Sequence, residues 1–172
     1  IGARYKPTSE TYMNDENRKK FIEKYKSEFD DVEDLRIAQS NLAKFMRRLL
    51  VMRFESSKNA FRSTLEKMIE SNKLIEHWWN ELGIVPIMKK GQLPDPQDYD
   101  TEDGEADSLT EELELLRNKK GFLEIGKDML NPQFIEDVRH DTELLQSIHD
   151  DWYSNPQYAD LDPKLDNVIE KI

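Results

Sequence analysis

The feature that most constrains the fold is a pair of apolar stripes with helical spacing. Apolar side chains recur every three or four residues from position 35 to 52 and again from 61 to 82, where only Asn72 interrupts the pattern. This spacing places them on one face of an amphipathic helix, so two long helices are predicted. The stripes are formed by Leu35, Ala38, Leu42, Phe45, Leu49 and Met52, and by Phe61, Leu65, Met68, Ile75, Trp79 and Leu82.

The two stripes do not share a phase. At about 100° per residue they point to different sides of one helix axis. A helix break is therefore predicted near Glu55, Ser56 and Ser57, where a serine can cap a new helix. One unbroken helix that meets different partners at its two ends is the alternative. Gly83 then supplies a C-terminal cap for the second helix.

The segment before the stripes has two parts. Residues 1–14 lack helical periodicity and are expected to form an irregular lead. Asn14 or Asp15 then caps a first helix. The predicted apolar face of that helix consists of Phe21, Ile22, Tyr25 and Phe29.

After Gly83 the composition changes to proline, glycine and acidic residues, which predicts a long acidic loop at about 84–108. Only its start is apolar enough to lie against the helices as a short extended piece. That piece contains Ile84, Val85, Ile87 and Met88.

Two further helices are predicted beyond the loop. Ser108 caps one that runs towards Gly121, and a connector from Gly121 to Asn131 leads to another. Asn131 caps this last helix with Pro132 in its first turn. Its apolar face consists of Phe134, Val138, Leu145, Ile148 and Trp152. Strand alternation is lacking, so the predicted fold class is all-α, an irregular bundle of long antiparallel helices with a long acidic loop.

Composition narrows the environment. Cysteine is absent, which excludes disulfides and thiolate metal sites and fits a reducing compartment. No stretch approaches the roughly 18 apolar residues of a membrane span, and the expected location is cytoplasmic. The formal net charge of -11 would repel a phosphate backbone unless basic residues were segregated on one surface.

Motifs for catalysis, cofactors and metals are not found in the sequence, so no catalytic, cofactor-binding or metal-binding residues are predicted. Phosphate-binding loops, dinucleotide fingerprints and nucleophile elbows are absent. His77, His140 and His149 lack the spacing that places two imidazoles on one helix face. Trp79 continues the second stripe and Trp78 lies beside it, which favours core packing over ligand recognition.

One short segment is basic, although the chain as a whole is acidic. It contains Arg47, Arg48, Arg53, Lys58 and Arg62, with Glu55 as its only acid. On an uninterrupted helix Arg47, Arg48, Lys58 and Arg62 would share one side and could follow phosphates. The predicted break weakens that inference, and pairing with the chain's own acids is the alternative.

The run from Asn41 to Ser57, with Ala60-Phe61, resembles the stretch that follows the first motor lobe in Swi/Snf-type helicase-related ATPases. It is similar to a bacterial branch that has a leucine-rich run, basic residues, Glu-Ser-Ser and an Ala-Phe pair. The end of the chain, Asp162 to Ile169, is similar to the helix that opens the second motor lobe. The resemblance implies that 15–161 is a helical insertion between two RecA-like lobes and that 162–172 is the truncated start of the second lobe.

By this resemblance the parent protein hydrolyses ATP with magnesium and moves on double-stranded DNA. The nucleotide-binding elements belong to the flanking lobes, and this chain would position the lobes or contact duplex DNA. Arg47, Arg48 and Arg53 are then the expected contacts to phosphates or to the lobes.

A free-standing helical module that binds a protein partner, near Trp78 or through the acidic loop, is the main alternative. A small metal-dependent enzyme ranks last, because the sequence has no organised set of ligands.

Overall fold

The computed structural model describes residues 2–27, 32–88, 117–118 and 121–154, with backbone only at 32–34 and 88. The prediction of a mostly helical chain is confirmed. The elements are α1 (Asp15–Lys24), α2 (Val32–Ser56), α3 (Lys58–Glu81), β1 (Ile84–Met88), β2 (Phe122–Gly126) and α4 (Gln133–Tyr153).

Local capping signals set the helix boundaries as predicted. The side chain of Asn14 accepts a hydrogen bond from the Asn17 amide at 2.8 Å and begins α1. Ser57 does the same for α3, accepting from the Ala60 amide at 3.1 Å, so the predicted break between the stripes is confirmed. Gly83 follows α3 with a φ of 66°, the left-handed conformation that ends many helices.

The start of the last helix also follows its signal. The side-chain oxygen of Asn131 accepts from the Gln133 amide at 3.0 Å, and Pro132 lies directly before the first residue of α4. Helix α1 ends at Lys24, with Tyr25 as its C-cap, whereas the predicted Phe29 lies outside the described residues.

The expectation of no sheet is wrong. Strands β1 and β2 pair antiparallel, with Val85 opposite Ile125 and Pro86 opposite Glu124. The extended piece after Gly83 is thus a strand, and the predicted connector from Gly121 to Asn131 contains its partner. Neither strand exceeds five residues, too short for alternation to stand out. Positions 89–116 of the predicted acidic loop and Ser108 helix, and the terminal segment 162–172, lie outside the described residues.

Helix α3 lies between α2 and α4 and runs antiparallel to both. On the α2 side, Leu50 shares a core cluster with Phe61 near the break, whereas Leu35 shares one with Ile75 farther along. On the α4 side, Arg139 pairs with Glu76 while the Tyr153 hydroxyl donates to the Lys58 carbonyl oxygen at 2.6 Å. Sequence order therefore reverses across both contacts.

Two apolar clusters form the core. The first joins the sheet to the helices and includes Phe21, Trp78, Val85, Ile125 and Phe134. The second lies where the break brings α2 and α3 together and includes Tyr5, Leu50, Phe61, Leu65 and Leu145. The prediction of core packing holds for both tryptophans, but Trp78 rather than Trp79 is the deeper one: Trp78 is 1% exposed, and Trp79 is partly buried against the first cluster.

The buried face of α2 is also displaced from the predicted stripe. Phe45 and Met52 are 56% and 49% exposed, whereas Gln39, Ala43 and Leu50 are buried. The lead causes this shift, because it packs on α2: the Gln39 side-chain oxygen accepts from the Thr8 amide and hydroxyl at 3.2 and 2.6 Å.

The lead is therefore part of the core rather than a peripheral arm. Residues Ala3–Tyr5 form a turn of 3-10 helix whose side chains are all buried. A carboxylate oxygen of Asp141, on α4, accepts from the Gly2 amide at 2.6 Å and from the Ala3 amide at 2.9 Å. Helices α2 and α4 thus hold the lead from two sides.

Candidate functional site

The outward face of α2 combines apolar and basic side chains. Arg48 is exposed and lies three residues after Phe45 and four before Met52, so all three share one side of the helix. Val51, 57% exposed, flanks them. The capping serine at position 57 ends this face, because α3 starts in a new direction.

Arg47 and Arg53 lie elsewhere on α2. Arg47 faces the lead: a side-chain carbon placed at Gly2 would stand 3.7 Å from its terminal nitrogen Nη2. Arg53 lines a cleft between α2 and α3 together with Arg4 and Lys67. The three arginines predicted as contacts are therefore spread over three sides of one helix.

Lys58 and Arg62 belong to a separate group on α3, directed at α4. Their cationic groups lie 5.8 and 5.3 Å from the centre of the Tyr153 ring. Arg62 also donates to Glu66 at 2.9 Å, and this hydrogen bond lowers the pKa of the Glu66 carboxyl below its ordinary value. For Arg62, pairing with the chain's own acids is what the structure shows.

The groove between α3 and α4 is open and carries both charge signs. It has a volume of about 700 Å³ and is lined by Lys73, Glu76, Arg139 and Asp150, among others. Arg139 contacts Glu76 at 2.5 Å and Glu136 at 2.7 Å, so its guanidinium is engaged within the chain. The lining as a whole carries four carboxylates against two cations, so the groove is net negative and does not favour an anionic ligand.

Within the described part of the chain, no group of three or more His, Asp or Glu side chains could hold a metal ion. His77 and His140 are exposed, and His149 lies 3.3 Å from Glu66. Among the described helices, none combines the length and apolar character needed to cross a membrane.

Comparisons with known proteins gave no match. The chain matches no protein-family model, and no curated protein or solved structure is significantly similar to it.

Sequence reasoning missed Arg4. It was placed in the irregular lead, yet it is only 7% exposed and lines the same cleft as Arg53. No local signal identifies it, because its burial depends on contacts between the lead and helices that come much later in the chain.

Proposed function

We propose that this chain is a helical accessory region of a DNA-dependent ATPase, located between two motor lobes and inactive alone. The observation that carries the proposal is the outward face of α2. The residues that resemble the Swi/Snf-type stretch, Asn41 to Ser57, are those that form this exposed apolar and basic surface. ATP and magnesium would be bound by the flanking lobes.

The apolar part of the face supports contact with another protein surface. Within the described residues, five of the six large hydrophobic side chains that are exposed belong to α2. They are Ile37, Phe45, Val51, Met52 and Phe54, and the sixth is Leu144. Phe54 also packs edge-on against Phe61 and Trp152, whereas Phe45, Val51 and Met52 remain on the outward face. An exposed apolar patch is typical of an interaction site, and a motor lobe is the partner we propose for it.

Arg48 supports a second role at the same face. It is exposed on the same side of α2 as Phe45 and Met52, and a guanidinium there can bind a phosphate of duplex DNA or an acidic group of a lobe. The antiparallel α2, α3 and α4 would act as a stiff spacer, because long packed helices keep the outward face at a fixed distance from α4. Residues 162–172 would open the second lobe.

Binding of the chain to short duplex DNA across a salt series tests the proposal. We expect weak binding that falls with salt, and loss of binding when Arg47, Arg48 and Arg53 are all changed to alanine. Each phosphate contact removed should lower the slope of log K against log salt by about 0.9. Because the three arginines lie on different sides of α2, the single variants show which side contacts DNA.

A lysine variant on another helix supplies the control: Lys19→Ala removes one positive charge from the exposed surface of α1 and should bind DNA as the unchanged chain does. No binding at low salt would remove the DNA-contact role and leave lobe packing. ATP hydrolysis by this chain alone would contradict the proposal altogether.

A protein-interaction module without a nucleic-acid role is the second candidate, favoured by the apolar side chains of the same face. Trp78 cannot be its contact, since it is 1% exposed. Salt-insensitive binding to a protein partner, with none to DNA, would identify this function.

A further inference from the structure

The cleft between α2 and α3 is positively charged in an acidic protein. Its volume is about 360 Å³, and its cationic residues are Arg4 from the lead, Arg53 from α2 and Lys67 from α3. Hydroxyl groups of Ser63, Thr64 and Ser71 and apolar side chains complete the lining, which includes no carboxylate. A chain with net charge -11 has therefore concentrated cations here.

Arg4 is the unusual member of this set. Its Nη2 donates to the Tyr5 hydroxyl, and its guanidinium carbon lies 4.3 Å from the centre of the Tyr5 ring. Its Nε and Nη1 are buried and have no hydrogen-bond partner. Because a guanidinium stays charged and buried polar groups are normally satisfied, these two donors need an explanation.

Among the described residues, no acid supplies the missing acceptor. The carboxylate of Asp141 approaches the lead, yet its Oδ2 accepts from the amides of Gly2 and Ala3. Within the described residues, Arg53 and Lys67 form no ion pair. The positive charge of the cleft is thus open to a ligand.

We infer that this cleft binds one oxyanion of the phosphate class, supplied by a free phosphate or by the DNA backbone. Arginine donors and a lysine charge are the groups that proteins use for phosphate. A tetrahedral oxyanion presents oxygens in several directions, so it can meet the exposed Arg53 of α2 and Lys67 of α3 together, while Arg4, whose Nε and Nη1 are closed to solvent, adds its positive charge to the same cleft. The volume corresponds to roughly ten waters at about 30 Å³ each, enough for the ion and part of its hydration shell.

The site is tested on the full chain by nuclear magnetic resonance with inorganic phosphate, at an ionic strength held constant with chloride. We expect saturable shifts at the amides of Arg4, Arg53 and Lys67. The double variant Arg53→Gln with Lys67→Gln should bind phosphate at least about tenfold more weakly, because two charged donors are lost.

The matched control is Lys44→Gln with Lys73→Gln, which removes the same charge from the same two helices outside the cleft. It should bind phosphate as the unchanged chain does. Equal weakening in both double variants, or no saturable shift at the three cleft amides, would overturn the inference.

Arg4→Met provides an independent readout. Without phosphate, its thermal midpoint should equal or exceed that of the unchanged chain, because an unpaired buried charge is removed. With phosphate, the unchanged chain should gain stability and the variant should not. If phosphate still raises the thermal midpoint of Arg4→Met, Arg4 is not part of the site. If Arg4→Met does not fold, the double variant Arg53→Gln with Lys67→Gln decides.

The source of the oxyanion is separated by repeating the comparison with short duplex DNA. If the double variant Arg53→Gln with Lys67→Gln binds neither inorganic phosphate nor duplex DNA, the cleft holds a phosphate of the DNA backbone. If it loses phosphate but binds DNA as the unchanged chain does, the ligand is a free phosphate. Failure of phosphate binding would leave the proposed DNA contact through Arg48 untouched, so the two proposals fail separately.

Discussion

The Tyr25 hydroxyl meets both backbone groups of Glu124: it donates to the carbonyl oxygen at 3.0 Å and accepts from the amide nitrogen at 3.1 Å. Glu124 lies opposite Pro86, which has no amide hydrogen, so this pair cannot exchange ladder hydrogen bonds. The polar groups of Glu124 therefore point away from β1, and α1 closes the free edge of the sheet through one side chain.

Replacing Tyr25 with phenylalanine should destabilise the fold by about 1–3 kcal/mol, because the partly buried amide and carbonyl of Glu124 lose their shared partner. Urea unfolding measures the loss, and hydrogen exchange at the Glu124 amide should accelerate. Glu124→Gln is the control: it affects only the exposed contact to Arg117 and should cost less than about 1 kcal/mol. Equal losses in the two variants would contradict the role of the hydroxyl.

Ser57→Ala should lower the free energy of unfolding by about 1 kcal/mol, since the cap of α3 is lost. Ser57→Asp should stay close to the unchanged chain, because aspartate caps helices as well as serine does. Thermal or urea unfolding compares them with Ser56→Ala, a change at the last residue of α2. A loss in Ser56→Ala as large as in Ser57→Ala would show that the cap is not the cause.

Asp137 should contribute stability that depends on pH. Hydrogen bonds from Tyr12, at 2.7 Å, and from Gln133 lower the pKa of the Asp137 carboxyl below its ordinary value of 3.8. A lowered folded-state pKa means that the contribution is present above pH 3.8 and is lost as pH falls through the folded-state value.

Asp137→Asn should therefore cost at most about 1 kcal/mol near neutral pH, and the difference from the unchanged chain should shrink in acid. Urea unfolding across the pH range measures this difference. Tyr12→Phe removes the main donor and should show the same trend. A difference that stays constant in acid would contradict the assignment.

Changing Phe45 and Met52 to serine together should alter stability by less than about 1 kcal/mol, because both side chains are about half exposed. Leu65→Ala, at a position with 0% exposure, should cost about 2–5 kcal/mol. The serine variant should also reduce any self-association seen by analytical ultracentrifugation, since exposed apolar patches promote contacts between copies. A large stability loss in the serine variant would mean that this face is part of the core.

The sequence was sufficient where the signal is local. Asn14, Ser57 and Gly83 mark helix ends through their own side chains or backbone freedom, and each lies where it was predicted. The different phases of the stripes likewise predicted a break near positions 55–57, and Ser57 is the residue that caps α3 there.

What could not be predicted depends on distant partners. The buried face of α2 shifts because the lead occupies one side of it, through the contact of Thr8 with Gln39. The pairing of Ile87 with Leu123 joins strands separated by more than thirty positions, and each strand is too short for its residue alternation to be recognised in the sequence. The burial of Arg4 belongs to the same class, so the phosphate cleft has no sequence signature.

The hydrogen bonds from the Gly2 and Ala3 amides to Asp141 have a consequence for synthesis on the ribosome. The acceptor for the Ala3 amide lies 138 positions later in the chain. At translation rates of roughly 5–20 residues per second, the lead waits on the order of ten seconds for its partner. During that interval α2 can already hold the lead through the contact of Gln39 with Thr8, so the contact of Asp141 with Gly2 and Ala3 is the part of the lead's packing that forms late in synthesis.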